Sequence, residues 1–332
     1  MPNRLLRALL FALITTLGLG SAIAQTLTVY SGRNEAFVGP VIEAFEQTTG
    51  VDVEVRYGGT AALAAVILEE GNLSPADVFL AQDAGALGAL SREGLFQRLP
   101  NMILSQVDAR FRSPEGLWVG VTGRARVLVY STENVAEEEL PMSVFELTGP
   151  EWQGRVGWAP TNGSFQAFVT AMRVVMGEER TREWLQGMIA NGVKDYRNNS
   201  SQVDAVGRGE IDLGLVNHYY LFRFLAERGE DFPARNHFPS DADIGALINV
   251  AGAGILASSS QPEVAQEFIT FLLGSQSQQH FTDTVFEYPL AGGVAVNPLL
   301  PPLAELETPE IDLSDLDDLE RTLELLQEVG AL

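Results

Sequence analysis

The 332-residue chain contains no cysteine, so no disulfide forms in it and no N-terminal cysteine is available for a lipid anchor. Histidine is scarce as well. His218, His237 and His280 are scattered in sequence, a spacing that does not build a histidine metal site. There is no Gly-x-Ser-x-Gly, no phosphate-binding loop, no His-Glu-x-x-His and no dinucleotide fingerprint, so no enzyme signature is present. Basic residues are few, 21 against 44 acids, and the formal charge of −23 repels nucleic acid and anionic membranes. After the first residues no apolar run approaches a membrane-spanning length. Internal repeats and low-complexity linkers are also missing.

What is present begins with a targeting pattern. Arg4 and Arg7 precede a short apolar stretch from Leu9 to Leu19, and Ala22-Ile23-Ala24 suits a small-residue cleavage site. We expect cleavage after Ala24, a mature start at Gln25 and a free periplasmic protein. Loss of Arg4 and Arg7 would take the charge from −23 to −25.

The length suits about two domains. Leu27 to Ser31, Val51 to Arg56 and Val78 to Ala81 read as strands, and apolar helical patterns follow them after Gly32, Gly58 and Asp83. This β-loop-α rhythm predicts an α/β chain with a largely parallel sheet. Ligands then sit beyond the carboxyl ends of the strands, which selects Ser31 to Glu35, Gly58 to Thr60 and Gln82-Asp83. Trp118 to Tyr130 and Ile244 to Leu256 are long strand-like passages, candidates for crossings between domains. Asn162-Gly163-Ser164 opens a helix, either as an anion seat or as a plain N-cap. Leu316, Leu319, Leu323 and Leu326 form one stripe of a structural tail helix, with Asp315, Asp317 and Asp318 in its first turn.

Leu213 to Asn217 is a buried-strand pattern that runs through His218 into Tyr219 and Tyr220, and an apolar helical pattern follows. In a strand the two phenols would point to opposite faces, and in a helix they would diverge by about 100°. An irregular turn between the two would let them converge. Converging phenols suit a hard cation such as ferric iron, which can displace their protons. Equally, Tyr side chains can bury their rings and leave the hydroxyls wet.

In this context the chain resembles the periplasmic ferric-iron-binding proteins that serve ABC importers. The similarity runs through Val-Tyr-Ser-Gly-Arg at 29–33, Ser-Pro-Ala-Asp-Val-Phe at 74–79 and Gly-Arg-Ala-Arg-Val at 123–127. It continues through Asn199-Ser200, Gly-Glu-Ile-Asp at 209–212, Asn217 with Tyr219-Tyr220, and Phe-Glu-Tyr-Pro-Leu at 286–290. The resemblance implies an α/β, two-lobed periplasmic binding protein fold (type II) with an interlobe cleft. One lobe would comprise 25–125 plus about 250–300, the other 126–249 plus about 301–332. It implies that Tyr219 and Tyr220 hold transported Fe3+ and that Asn162, Gly163, Ser164, Asn199 and Asn217 hold a synergistic carbonate or phosphate. Arg124 stands at the family's cleft arginine, and Arg33 suits an anion. Some members bring a histidine and a glutamate from the first lobe, where this chain has Asn34 and Gln82. Others bring tyrosines, where this chain has Glu35 and Gln166. Glu35 is thus a candidate third ligand. The implied partner is an ABC importer permease in the inner membrane, and the protein itself is expected to be a monomer without enzymatic activity. The alternatives are a binding protein for an organic or oxyanionic solute, such as a phosphonate, sulfate or thiamine-like ligand, and an exported enzyme with an unfamiliar site.

Overall fold

The computed structural model describes residues 26–240 and 242–332, and the expected targeting segment at 1–24 lies outside them. Strand β1 (Thr26–Ser31) leads into helix α1 (Glu35–Thr49), which Asn34 caps by accepting from the Ala36 amide at 2.9 Å. Gly50, at φ 74°, ends α1 in the left-handed conformation that glycine adopts without penalty. Strand β2 (Asp52–Tyr57), helix α2 (Thr60–Glu70), strand β3 (Val78–Ala81) and helix α3 (Ala84–Arg92) complete the β-loop-α series. A short helix α4 (Asn101–Leu104) precedes strand β4 (Val119–Ser131), which is buried along its whole length.

Next come β5 (Val156–Trp158), α5 (Gly163–Met176), α6 (Glu178–Ala190), β6 (Lys194–Asp195) and α7 (Asn199–Gly207). Then follow β7 (Leu213–Asn217), α8 (Tyr219–Arg228), β8 (Ala234–His237), β9 (Ile248–Ile255), α9 (Pro262–Leu273) and α10 (Ser275–His280). Strand β10 (Tyr288–Pro289) and helix α11 (Leu319–Glu328) end the chain. Among the described residues no helix is long and apolar enough to cross a membrane.

The strands run in the order β2-β1-β3-β9-β4-β7-β5-β6, with β8 and β10 also on β4. The expected largely parallel sheet is found only at its two ends, where β1 pairs with β2 and β3, and β5 pairs with β6 and β7. The middle is antiparallel, because β4 and β9 run in opposite directions beside each other without a helical crossover.

Strand β4 joins the two halves. Its residues Val119 to Ala125 pair with β9, and Arg126 to Tyr130 pair with β7. At the change of partner the Arg126 amide donates to Leu247 O at 2.8 Å, so the outgoing and returning crossings touch. The tail spans both halves. A Cβ on Gly88 of α3 would lie 2.2 Å from Ser314 O, so the turn at Leu313–Asp317 rests directly on α3. Helix α11 lies on α5, where Thr322 Oγ1 and Thr170 Oγ1 are 2.8 Å apart. This helix starts at Leu319, later than the acidic run suggested, because Leu313–Asp317 forms a tighter 3-10 turn and Asp318 caps the helix. Its buried face is Thr322, Leu325 and Leu326.

Candidate ligand-binding cleft

A cleft of about 710 Å³ opens where the strand ends of the two halves face each other. Asn34, Thr60, Gln82, Asp83 and Arg124 line one side, and Arg126, Asn162, Ser164, Asn217, Tyr219 and Tyr220 line the other. Leu316, Asp317 and Leu319 of the tail complete the wall. Such a volume suits a small solute.

The two tyrosines lie in the first turn of α8, not in an irregular turn, since His218 already has helical angles (φ −54°, ψ −38°). Their rings nevertheless stack, with centroids 4.4 Å apart and planes 28° apart. Tyr219 is buried and Tyr220 half-buried. Burial pushes the Tyr219 phenol well above its usual range. The neighbouring Tyr220 adds to this rise and the Arg124 charge opposes it. Arg223, one turn along α8, sits over the rings of Phe37 (4.7 Å) and Tyr220 (5.9 Å).

Beside the tyrosines is a polar cluster built at the N-terminus of α5. Asn162 Oδ1 accepts from the Ser164 amide (3.0 Å) and from Ser164 Oγ (2.6 Å). Asn199 Nδ2 donates to Ser164 Oγ at 3.1 Å. Arg126 Nη1 reaches Asn217 Oδ1 at 3.2 Å and Ser164 Oγ at 3.4 Å. The Gly163 position faces open space, with nothing within 4 Å of a Cβ placed there. Asn162, Ser164, Asn199 and Asn217 are therefore brought together, and Gly163 stands at the same cleft wall.

Arg126 was not singled out from the sequence. It is buried under the Phe168 ring at 5.3 Å, and its Nη2 has no hydrogen-bond partner. A buried N–H group without an acceptor is uncommon, and beside a helix N-terminus it points to an anion. Burial lowers its pKa to about 9, with both tyrosines opposing the fall, so the guanidinium remains charged at neutral pH. The signal was available, since Arg124 and Arg126 are two apart on one strand and so share a face.

Arg124 lines the cleft and donates from Nη2 to the Gln82 carbonyl, while its Nε is unpartnered. Arg33 and Glu35 are placed differently from expectation. Arg33 is buried behind the cleft and holds Glu287 through two bonds, Nη1 to Oε1 at 3.0 Å and Nη2 to Oε2 at 2.8 Å. Its Nη1 also reaches Gln82 Oε1 at 3.0 Å, so both outer nitrogens are engaged within the protein. Glu35 is exposed in the first turn of α1 and acts on Tyr57, whose phenol is raised by burial and then by Glu35 and Glu43. Its neighbour Asn34, the extended N-cap of α1, does line the cleft. Gln166 lines the cleft with its Nε2 donating to Pro160 O at 3.1 Å.

Two further acids lie here, Glu287 fully buried and Asp83 half-buried. For Glu287, burial favours the neutral form, but Arg33, Arg124 and a 2.5 Å bond from Thr122 Oγ1 together bring its pKa below the usual carboxylate value. For Asp83, burial prevails over Arg124 and its pKa rises. Asp83 Oδ1 caps α3 at the Ala86 amide. Among the described residues no group of three or more His, Asp or Glu side chains could hold a metal.

The cleft and its fold have close counterparts. Residues 74–313 match the family model of bacterial extracellular solute-binding proteins. The Fe(3+)-binding periplasmic protein of Serratia marcescens is 35% identical over 93% of this chain and 91% of its own. The major ferric iron-binding protein of Neisseria meningitidis is 36% identical over 92% of each chain. Iron-bound HitA from Pseudomonas aeruginosa superposes with a TM-score of 0.85 at 38% identity, over 92% of this chain and 99% of that one. The chain therefore belongs to the family of periplasmic ferric-iron-binding proteins, solute-binding proteins rather than enzymes, and has their two-lobed fold with an interlobe cleft.

Proposed function

We propose that this protein is the periplasmic solute-binding component of an ABC importer and carries ferric iron between its lobes. The lobes meet at Ala125/Arg126 and Leu247/Ile248, where strand pairing changes, and the tail touches both. Tyr219 and Tyr220 supply phenolate oxygen, the hard donor that ferric iron selects. A synergistic carbonate or phosphate sits on the Gly163 and Ser164 amides, Asn162, Asn199, Asn217 and Arg126. Two phenolates leave one positive charge on the ion, and the anion neutralises it. Arg33 and Glu35 are left out of the proposed set because neither lines the cleft. The importer's permease in the inner membrane is the proposed partner of a monomeric carrier.

The observation that carries the reading is the stacked tyrosine pair beside a buried, half-satisfied Arg126. Cation and anion receptors therefore lie side by side. The test is metal analysis and a visible spectrum of the purified protein, with ferric citrate titrated into metal-depleted samples. Phenolate-to-iron charge transfer should colour the protein, with one iron per chain. A colourless protein with no calorimetric response to ferric iron would leave the organic or oxyanionic solute, which the same arginine and the cleft volume would suit.

A further inference from the structure

His218 has no place in the iron reading, yet its two ring nitrogens are both engaged. The Ala125 amide donates to Nδ1 at 3.1 Å, and Nε2 lies 2.7 Å from the Phe286 carbonyl. The Phe286 carbonyl can only accept, so Nε2 carries the proton. The neutral ring keeps on Nδ1 the lone pair that takes the Ala125 amide, in preference to the longer 3.4 Å approach of the Ala125 carbonyl. The ring is fully buried, edge-on to Tyr219 at 5.7 Å and tilted against Tyr288 at 5.0 Å. It joins the point where β4 changes partner to a turn more than sixty residues further along the chain.

That turn is unusual. Phe286 holds a left-handed conformation, φ 59° and ψ 32°, which bulky side chains rarely adopt. Such a conformation persists only where its surroundings over-determine it. Here the His218 bond and a stack of the Phe286 ring on Phe222 (5.1 Å) do so. The next residue, Glu287, takes both outer nitrogens of Arg33, and Arg33 in turn holds the Gln82 side chain. One unbroken series of bonds thus runs from Ala125 through His218, Phe286, Glu287 and Arg33 to Gln82. It begins directly beside Tyr219 in one cleft wall and ends in the other wall.

We propose that His218 is a positioning residue for the tyrosine pair, and that the Phe286–Glu287 turn is the common anchor that sets both cleft walls from behind. The proposal rests on the reading that Tyr219 and Tyr220 hold ferric iron. Glutamine at 218 could satisfy one of the two partners but not both at the fixed spacing of an imidazole ring.

The test compares wild type, His218→Gln and a control, Leu185→Ala, which opens a cavity in the remote core of α6. Each is loaded with ferric iron, and two quantities are read: the maximum of the charge-transfer band, and iron retention against competing citrate. His218→Gln should shift the band and weaken retention about 10- to 100-fold, the usual effect of losing a group that orients a ligand. Leu185→Ala should lower Tm and leave both readings at wild-type values. An unchanged band and retention in His218→Gln, or an equal change in the control, overturns the proposal.

A colourless wild type sinks the iron reading itself, and the positioning role falls with it. Should His218→Gln not fold, 15N NMR of the wild type decides. The chain has three histidines, so assignment is tractable. The His218 resonances should show a bare Nδ1 and a protonated Nε2 at neutral pH, and the other tautomer overturns the proposal.

Discussion

Tyr219 and Tyr220 are neighbours with unequal surroundings, and the difference is testable. Tyr219 is 3% exposed and its phenol holds its proton more tightly than usual, whereas Tyr220 is half-buried. On the proposed ligation, iron displaces a proton from each phenol. Calorimetry in buffers of differing ionisation heat should therefore register proton release on uptake, and Tyr219→Phe should release one fewer proton per iron. Either Phe variant should lose most of the visible band while thermal unfolding moves by no more than about 1 kcal/mol, since only a hydroxyl is removed. Arg126→Gln should instead preserve the band and remove the dependence of retention on carbonate or phosphate. The adjacent tyrosines and the helix start at Asn162 were legible from local pattern, whereas Asn199 and Asn217 were grouped with them only through the family resemblance. Arg126 was half-legible, since strand alternation puts it beside Arg124 but does not show which neighbours each will meet. The Arg33–Glu287 pair was not legible, because its partners are 254 residues apart and no local pattern joins them.

At the scale of elements, two glycines at helices that border the cleft should respond in opposite ways. A Cβ at Gly88 in α3 would meet the Ser314 carbonyl at 2.2 Å, a main-chain atom that cannot rotate away. Gly88→Ala should force α3 and the tail turn apart and lower stability by about 1–3 kcal/mol, measured by urea denaturation. At Gly163 the first atom of a side chain has free space, so Gly163→Val should leave the denaturation midpoint unchanged and weaken iron retention by intruding on the anion seat. Equal losses of stability at the two sites would refute this contrast. The β-loop-α series was readable from its periodicity because each strand and helix there is bounded by its own turn residues. The antiparallel centre was not, since β4 and β9 are buried along their whole length, and a strand covered on both faces carries no alternation from which its neighbours or their direction could be read. The tail misled for a related reason. A row of leucines predicts a buried stripe, but not that its first turn would tighten to lie across α3.

For the whole molecule, acid should separate iron release from unfolding. Two kinds of group make the fold acid-sensitive, in different windows. His237 is held neutral by burial, its pKa below 6.5, against a bond from its ring Nε2 to Pro141 O at 2.8 Å. An unfolded histidine binds a proton more readily, so this contribution is complete above pH 6.5 and is lost as pH falls below it. Glu178 and Glu328 are paired with Arg321 between α6 and α11, and their pKa values are depressed, that of Glu328 to about 2. Their contribution is present above the ordinary glutamate value of 4.5 and is lost as pH falls below it, for Glu328 down to about 2. These pairs are exposed, so they add little and weaken with salt. Neither window should remove the whole fold in mild acid. The proposed iron site should be more vulnerable, because burial raises the proton affinity of Tyr219 and the proposed ligation needs both phenols and the anion deprotonated. Colour should therefore fade at a higher pH than the loss of far-ultraviolet circular dichroism, and it should return on neutralisation with iron still present. Coincident transitions would mean that release is only unfolding, and the proposed proton competition at Tyr219 and Tyr220 would be wrong.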